Sequence, residues 1–143
     1  MSDEPSPPGD IVECTPDEVD FSLSWRHDGD GALAGELVAR NTGPRAWRLT
    51  GKPGLVLTDA DGRDLAADHV VTLELRLPGY AVVAPGGVAR AAVSLGRWDG
   101  TPLGPVVGVT WEGGRADVRP DGPPAPTAAS GPTTTSSSWF TTG

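Results

Sequence analysis

The chain has 143 residues, enough for one domain with a substantial hydrophobic core, and its formal net charge is −8. Residues 1–20 hold seven acidic and no basic side chains, whereas residues 21–120 hold eleven of each. Because nucleic acid binding needs a positive protein face, this distribution argues against a nucleic acid partner. No stretch approaches the roughly 18 apolar residues of a membrane span, so no transmembrane segment is predicted.

The N-terminal segment, residues 1–10 (MSDEPSPPGD), is acidic and proline-rich, which predicts a flexible arm ahead of the first strand. It has neither the basic region nor the apolar run of a signal peptide. Two locations therefore stay open. The protein is extracellular or at the cell surface if a leader was removed, or it is made in the cytoplasm and incorporated into an assembly such as a virion.

Alternation of apolar and polar residues predicts a succession of short strands after this arm. The clearest has Val19, Phe21, Leu23 and Trp25 on one face, with polar residues between them. Turn signals recur at roughly 8–12-residue spacing, and no window shows helical periodicity. The predicted fold is an all-β, immunoglobulin-like antiparallel β-sandwich of seven to nine short strands over residues 11–120. The other predicted strands lie near residues 33–39, 47–49, 55–57, 71–77, 80–83, 89–95, 107–111 and 116–118.

The stretch of residues 37–65 has the clearest turn chemistry in the chain. The turn sequence that begins it, residues 41–44, contains the only asparagine of the protein, Asn41. An asparagine side chain can bond the backbone just ahead of it, while Gly43 tolerates positive φ and Pro44 fixes φ near −65°. Two more turn sequences follow, GKPG at residues 51–54 and DADG at residues 59–62, so this stretch predicts three consecutive antiparallel strands.

Residues 121–143 change character, because ten of these 23 residues are serine or threonine and Asp121 carries their only charge. This composition predicts a linker or stalk after the sandwich. Trp139 and Phe140 are the exception, since two adjacent aromatic side chains are costly to leave in water. We therefore expect a flexible tail whose aromatic pair docks on a partner or on a neighbouring copy.

The central turns resemble those of an actinobacterial family of secreted and lipoprotein-attached domains of unknown function. The pieces that carry the resemblance are ARNTG (39–43), LTGKPG (49–54), DG (61–62) and VAPGGVA (83–89). The resemblance implies an extracellular accessory β-sandwich and no catalytic residues to transfer. The family usually has a cysteine just before the LTG piece, where this chain has Trp47, so Cys14 lacks that partner. The family is also usually exported.

Four features of the sequence are candidate sites of chemistry. The carboxylates of residues 59–64 (DADGRD) could offer oxygen ligands to calcium, but they lack the EF-hand order and a plain Asp-Gly hairpin explains them. Gly51-Lys52 lacks the serine or threonine of a phosphate-binding loop, and His27 and His69 lack zinc-ligand spacing. Cys14 has no cationic sequence neighbour to lower the pKa of its thiol. The sequence thus predicts no catalytic residue, no cofactor and no metal.

The tryptophans are the candidate binding residues. Trp25 and Trp111 are in register with apolar faces, which assigns them to the core. Trp47 and Trp98 border turns, where an exposed aromatic side chain often marks a binding surface. The predicted partner-binding residues are therefore Trp47, Trp98, Trp139 and Phe140.

The sequence favours a non-enzymatic β-sandwich module for protein–protein contact, surface-exposed or extracellular. The alternative is a structural or decoration subunit of a larger assembly, a virion or an injection machine, whose two arms reach neighbouring subunits. In both cases the partner is a protein or another copy of the chain.

Overall fold

The computed structural model describes residues 11–27, 33–65, 68–69, 79–95, 98–99, 103–122, 127–128 and 134–142. Within these ranges the chain is all-β, as predicted, and its one helical element is a 3-10 turn at Pro16–Glu18. The described ranges hold fourteen strands, five of them only two residues long, against the seven to nine predicted. The strands are Val19–His27 (β1), Leu33–Asn41 (β2), Trp47–Thr50 (β3), Gly54–Asp59 (β4), Asp64–Leu65 (β5), Asp68–His69 (β6), Tyr80–Val83 (β7), Val88–Leu95 (β8), Trp98–Asp99 (β9), Leu103–Trp111 (β10), Gly114–Val118 (β11), Thr127–Ala128 (β12), Thr134–Ser137 (β13) and Thr141–Thr142 (β14).

The larger sheet is built on a long hairpin. β1 pairs antiparallel with β2 along all nine residues, and β2 pairs on its other side with β8. The far edge of β8 is covered twice, by β13 at residues 93–95 and by β14 at residues 89–90. β6 lies beyond β13 and runs parallel to it. The free edge of β1 is covered in part by Asp121, whose backbone bonds Leu23 and Trp25 at 2.9 and 2.7 Å.

The second sheet has the order β11-β10-β4-β5, with antiparallel neighbours throughout. Two smaller pairs complete the described architecture: β3 with β7, antiparallel, and β9 with β12, parallel. The backbone of residues 12–14 lies along β3, since Arg48 N donates to Val12 O at 3.0 Å and Cys14 N donates to Arg48 O at 2.8 Å. These sheets enclose one core, the arrangement of a β-sandwich.

The core follows from the alternation seen in the sequence. Along β2 every second residue, from Leu33 to Asn41, is buried, because successive side chains of a strand point to opposite faces. Trp25 and Trp111 are buried as predicted, and Phe21 packs edge-on against Trp111 with 5.2 Å between ring centroids. This contact links β1 of the first sheet to β10 of the second.

Asn41 organises the end of β2 as its turn sequence predicts. Its side chain is buried, and its Oδ1 accepts the backbone N–H of Gly43 at 2.9 Å. Its Nδ2 donates to the carbonyls of Arg45 at 2.8 Å and of Val83 at 3.0 Å. One amide thus closes the local turn and ties it to β7, which explains why a buried polar side chain is tolerated here.

The C-terminal residues correct the predicted domain boundary at residue 120. Residues 134–142 are not a linker, because β13 and β14 are hydrogen-bonded to β8 and Phe140 is only 2% exposed. A Ser/Thr-rich composition was a poor guide because threonine suits strands and because buried hydroxyls can donate to carbonyl groups elsewhere in the fold. Ser137 shows this, since its Oγ donates to Pro53 O at 2.5 Å. The predicted N-terminal arm (1–10) and the predicted strand at residues 71–77 lie outside the described residues.

Candidate binding cleft

A cleft of about 400 Å³ opens on the outer face of the larger sheet, beside Trp139. We call it the Trp139 cleft. Its lining comes from β1, β2, β8 and β14 and from the segment that joins β13 to β14. The lining residues are Arg26, Gly35, Glu36, Arg90, Ala91, Ala92, Ser138, Trp139 and Thr141.

Strand register explains why the cleft exists at this place. Glu36 lies opposite Ala92 in the β2–β8 pair, and Arg90 lies opposite Thr141 in the β8–β14 pair. The small side chain of Ala92 leaves space between these longer ones. Glu36 Oε1 and Arg90 Nη1 are 2.8 Å apart, but both side chains are about half exposed. Because solvent screens such a pair, it contributes about 1 kcal/mol or less to stability.

The connection between β13 and β14 decides which aromatic residue faces solvent. Ser138 N donates to Ala92 O at 2.8 Å, and Ala92 N donates to Ser138 Oγ at 2.9 Å. The serine side chain therefore replaces one backbone bond of the ladder, and the chain turns Phe140 into the core. Trp139 stays partly buried at the surface, with Lys52 Nζ 5.6 Å from the centre of its ring.

The structure separates the four predicted binding residues. Trp139 lines the cleft, whereas Phe140 is a core residue, so the expected docking of the pair on a partner is wrong for Phe140. The expected exposure of Trp47 is also wrong. Trp47 is 0% exposed, faces inward opposite Val83, and donates its indole N–H to Glu18 O at 3.0 Å. Trp98 begins β9, but its side chain lies outside what the structure describes.

Sequence reasoning missed the charged residues of the cleft, Arg26, Glu36 and Arg90. The alternation of their strands does predict that each faces outward. It does not show that the three side chains lie around one cleft, because strand order and register are properties of the tertiary structure.

Comparison with known protein families also includes the C-terminal residues in the domain. The family described as a domain of unknown function, DUF4232, matches residues 14–143. The chain belongs to this family. The predicted kinship to a family of unknown function is thereby confirmed, and the match includes the C-terminal strands. No curated protein and no solved structure matches the chain.

Within the described part of this DUF4232 domain, no helix is long and apolar enough to cross a membrane. The same residues contain no group of three or more histidine, cysteine or acidic side chains arranged to hold a metal ion.

Cys14 of the DUF4232 domain is a buried structural residue. Its carbonyl accepts the indole N–H of Trp111 at 2.7 Å, which fixes the N-terminal segment against β10. Burial, followed by the nearby carboxylates of Glu13, Glu18 and Asp17, raises the pKa of the Cys14 thiol from its ordinary value to about 12. Only the thiolate is a nucleophile, so this environment opposes nucleophilic catalysis by Cys14.

We expect Cys14 to be almost unreactive toward a disulfide reagent at pH 8 in the folded protein. The thiolate fraction should be about a thousandfold below that of an ordinary thiol with a pKa near 9. Guanidinium-unfolded protein provides the control and should react fully. Since the folded pKa exceeds the unfolded one, the neutral thiol's contribution to stability is present below pH 9 and is lost between about pH 9 and 12. Rapid labelling of folded protein would contradict this assignment.

The acidic loop of residues 59–64 has the contacts of a hairpin turn. Asp59 Oδ1 accepts the backbone N–H groups of Asp61 at 2.8 Å and Arg63 at 2.9 Å, and Gly62 has a φ of 82°. Both carboxylate oxygens of Asp64 bond the Arg115 guanidinium at 2.9 Å. These bonds hold the pKa of the Asp64 carboxyl below its ordinary value, so this carboxylate is engaged at neutral pH.

Calcium is therefore expected not to bind this loop with useful affinity. Titration calorimetry up to millimolar calcium should give no saturable heat, because Asp59 already serves the turn and Asp64 already serves Arg115. A micromolar site that disappears in the Asp61→Ala variant is the result that would overturn this prediction.

Proposed function

We propose that this DUF4232 domain is a non-enzymatic, immunoglobulin-like β-sandwich that binds another protein through the Trp139 cleft, as an accessory domain of a surface-exposed or extracellular protein. The observation that carries the proposal is a partly buried tryptophan beside exposed charged residues on an outer sheet face. Aromatic and arginine side chains are enriched at sites where proteins bind one another.

Catalysis has less support than binding. The one cysteine is buried with a raised thiol pKa, and the candidate calcium loop is occupied by its own hydrogen bonds. The Trp139 cleft contains a carboxylate, Glu36, but it is paired with Arg90 and exposed to solvent.

The alternative, a decoration subunit that reaches its neighbours with two arms, loses one of its supports. Residues 134–142 pair with β8 of the same chain, and Phe140 is in the same core. That segment is therefore not available as a C-terminal arm. We favour the interaction module for this reason.

Photo-crosslinking in the organism that makes the protein tests the proposal. A photoreactive amino acid at Ala92, exposed within the cleft, is compared with one at Asp117, exposed on β11 of the other sheet. We expect Ala92 to give discrete protein adducts that Asp117 does not give. The second-site change Trp139→Ala should reduce these adducts at least fivefold. The same adducts from both positions, or none from Ala92, would refute a binding role for the cleft.

A further inference from the structure

Positive charge is concentrated around the Trp139 cleft. Arg26 and Arg90 line it together with one carboxylate, Glu36, and Lys52 lies over the ring of Trp139. Among the described residues the cleft lining thus has two basic side chains against one acidic side chain, and Lys52 adds a third positive charge beside it, whereas the whole chain carries a net charge of −8. Local charge of this sign favours an acidic ligand.

Arg26 is an exposed cation at the cleft. It is exposed near the end of β1 and lies opposite Ala34, whose small side chain does not cover it. Arg26 takes part in none of the ion pairs that the described residues form. A planar guanidinium in this position can take a carboxylate in a two-point hydrogen bond.

Arg90 is available to a ligand by exchange. Its pair with Glu36 is about half exposed on both sides, so solvent already screens the attraction between them. A carboxylate of a bound partner can replace Glu36 at the guanidinium without leaving a buried charge unpaired. The cleft lining also includes Gly35, which has no side chain, and Ala92, which has a small one. A ligand backbone can therefore approach the sheet closely.

We infer that the Trp139 cleft binds an extended acidic segment of a protein partner. This inference rests on the proposed function and adds the chemistry of the partner. Acidic side chains of the segment bond Arg26 and Arg90, while an apolar residue such as proline packs on the indole of Trp139. Since the attraction is between exposed charges, affinity falls as ionic strength rises.

Fluorescence anisotropy with a defined probe tests the inference on the full chain. The probe is a labelled twelve-residue peptide in which glutamate and aspartate residues flank a central Pro-Pro. Its control is the same peptide with glutamine and asparagine in their place. At low salt we expect at least tenfold tighter binding of the acidic peptide, and a steep loss at 0.5 M sodium chloride.

Charge-matched variants separate the cleft from the overall charge of the protein. Arg26→Glu and Arg63→Glu change the net charge equally, but Arg63 is exposed in the hairpin loop of residues 59–64, outside the cleft lining. Arg26→Glu should weaken binding at least tenfold, and Arg63→Glu less than twofold. Trp139→Ala should weaken binding of the acidic peptide several-fold, and circular dichroism checks that each variant is folded.

Several results would overturn the inference. These are equal binding of the acidic and amide peptides, equal loss in Arg26→Glu and Arg63→Glu, or no binding of the acidic peptide. Trp139-dependent binding of an oligouronate in place of the peptide would assign the cleft to acidic carbohydrate. Dimerisation that Arg26→Glu abolishes would assign it to a second copy. If the crosslinks from position 92 persist while the acidic peptide fails, the binding function stands and only the partner's chemistry is wrong.

Discussion

Deletion of residues 134–143 is expected to abolish cooperative folding of the domain. The deletion removes both strands that pair with the far edge of β8, and it removes Phe140 from the core. An unpaired edge strand and a large cavity then remain together, and each alone is strongly destabilising. Thermal melts followed by near- and far-ultraviolet circular dichroism are the measurement.

A single substitution gives a graded version of this test. Phe140→Ala should cost about 3–5 kcal/mol, which lowers Tm by roughly 10 °C in a domain of this length. Thr142→Ala is the matched control, because Thr142 is in the same segment but exposed, and it should change stability by less than about 0.5 kcal/mol. If the truncated chain melts with the full-length chain, residues 134–142 are a linker after all.

Trp47→Ala is expected to destabilise the fold more than Trp139→Ala. The side chain is fully buried at the start of β3, so its removal should cost about 3–5 kcal/mol in the free energy of unfolding. The free energy of unfolding of Trp47→Phe should lie between those of the unchanged protein and Trp47→Ala. Phenylalanine keeps much of the packing, but it leaves Glu18 O without its indole donor. Urea titration of each variant measures these differences.

Trp139→Ala is the natural comparison for this series. Because Trp139 is only partly buried, the change should cost about 1–2 kcal/mol at most, while it should reduce binding through the cleft. The opposite pattern, with Trp47→Ala stable but defective in binding, would return Trp47 to the protein surface and contradict its place in the core.

The local sequence was sufficient to predict the strands and turns of the central region. The alternation in β1 and β2 predicts which side chains enter the core, because a pleated strand presents successive residues to opposite faces. The turn at residues 41–44 was predictable for a similar reason, since the Asn41 side chain bonds the backbone two residues ahead of it. These are properties of a few neighbouring residues.

The role of the C-terminal residues was decided only by the tertiary structure. Residues 134–137 are serine and threonine, so no apolar alternation marks β13 as a strand. Its place is set by backbone bonds to β8 and by the bond from Ser137 to Pro53, 84 residues away in sequence. Composition predicted a linker because it reflects only the number of polar side chains and not the hydrogen bonds that these side chains form.

The assignment of the tryptophans shows the same division. The sequence placed Trp25 and Trp111 in the core from their strand faces, and the structure buries both. It named Trp47 a candidate binding residue because Trp47 borders a turn, although burial depends on what packs against β3. The Trp139 cleft was likewise beyond local patterns. It requires Glu36, Ala92 and Ser138 on adjacent strands in one register, and register is fixed by pairing between segments far apart in the chain.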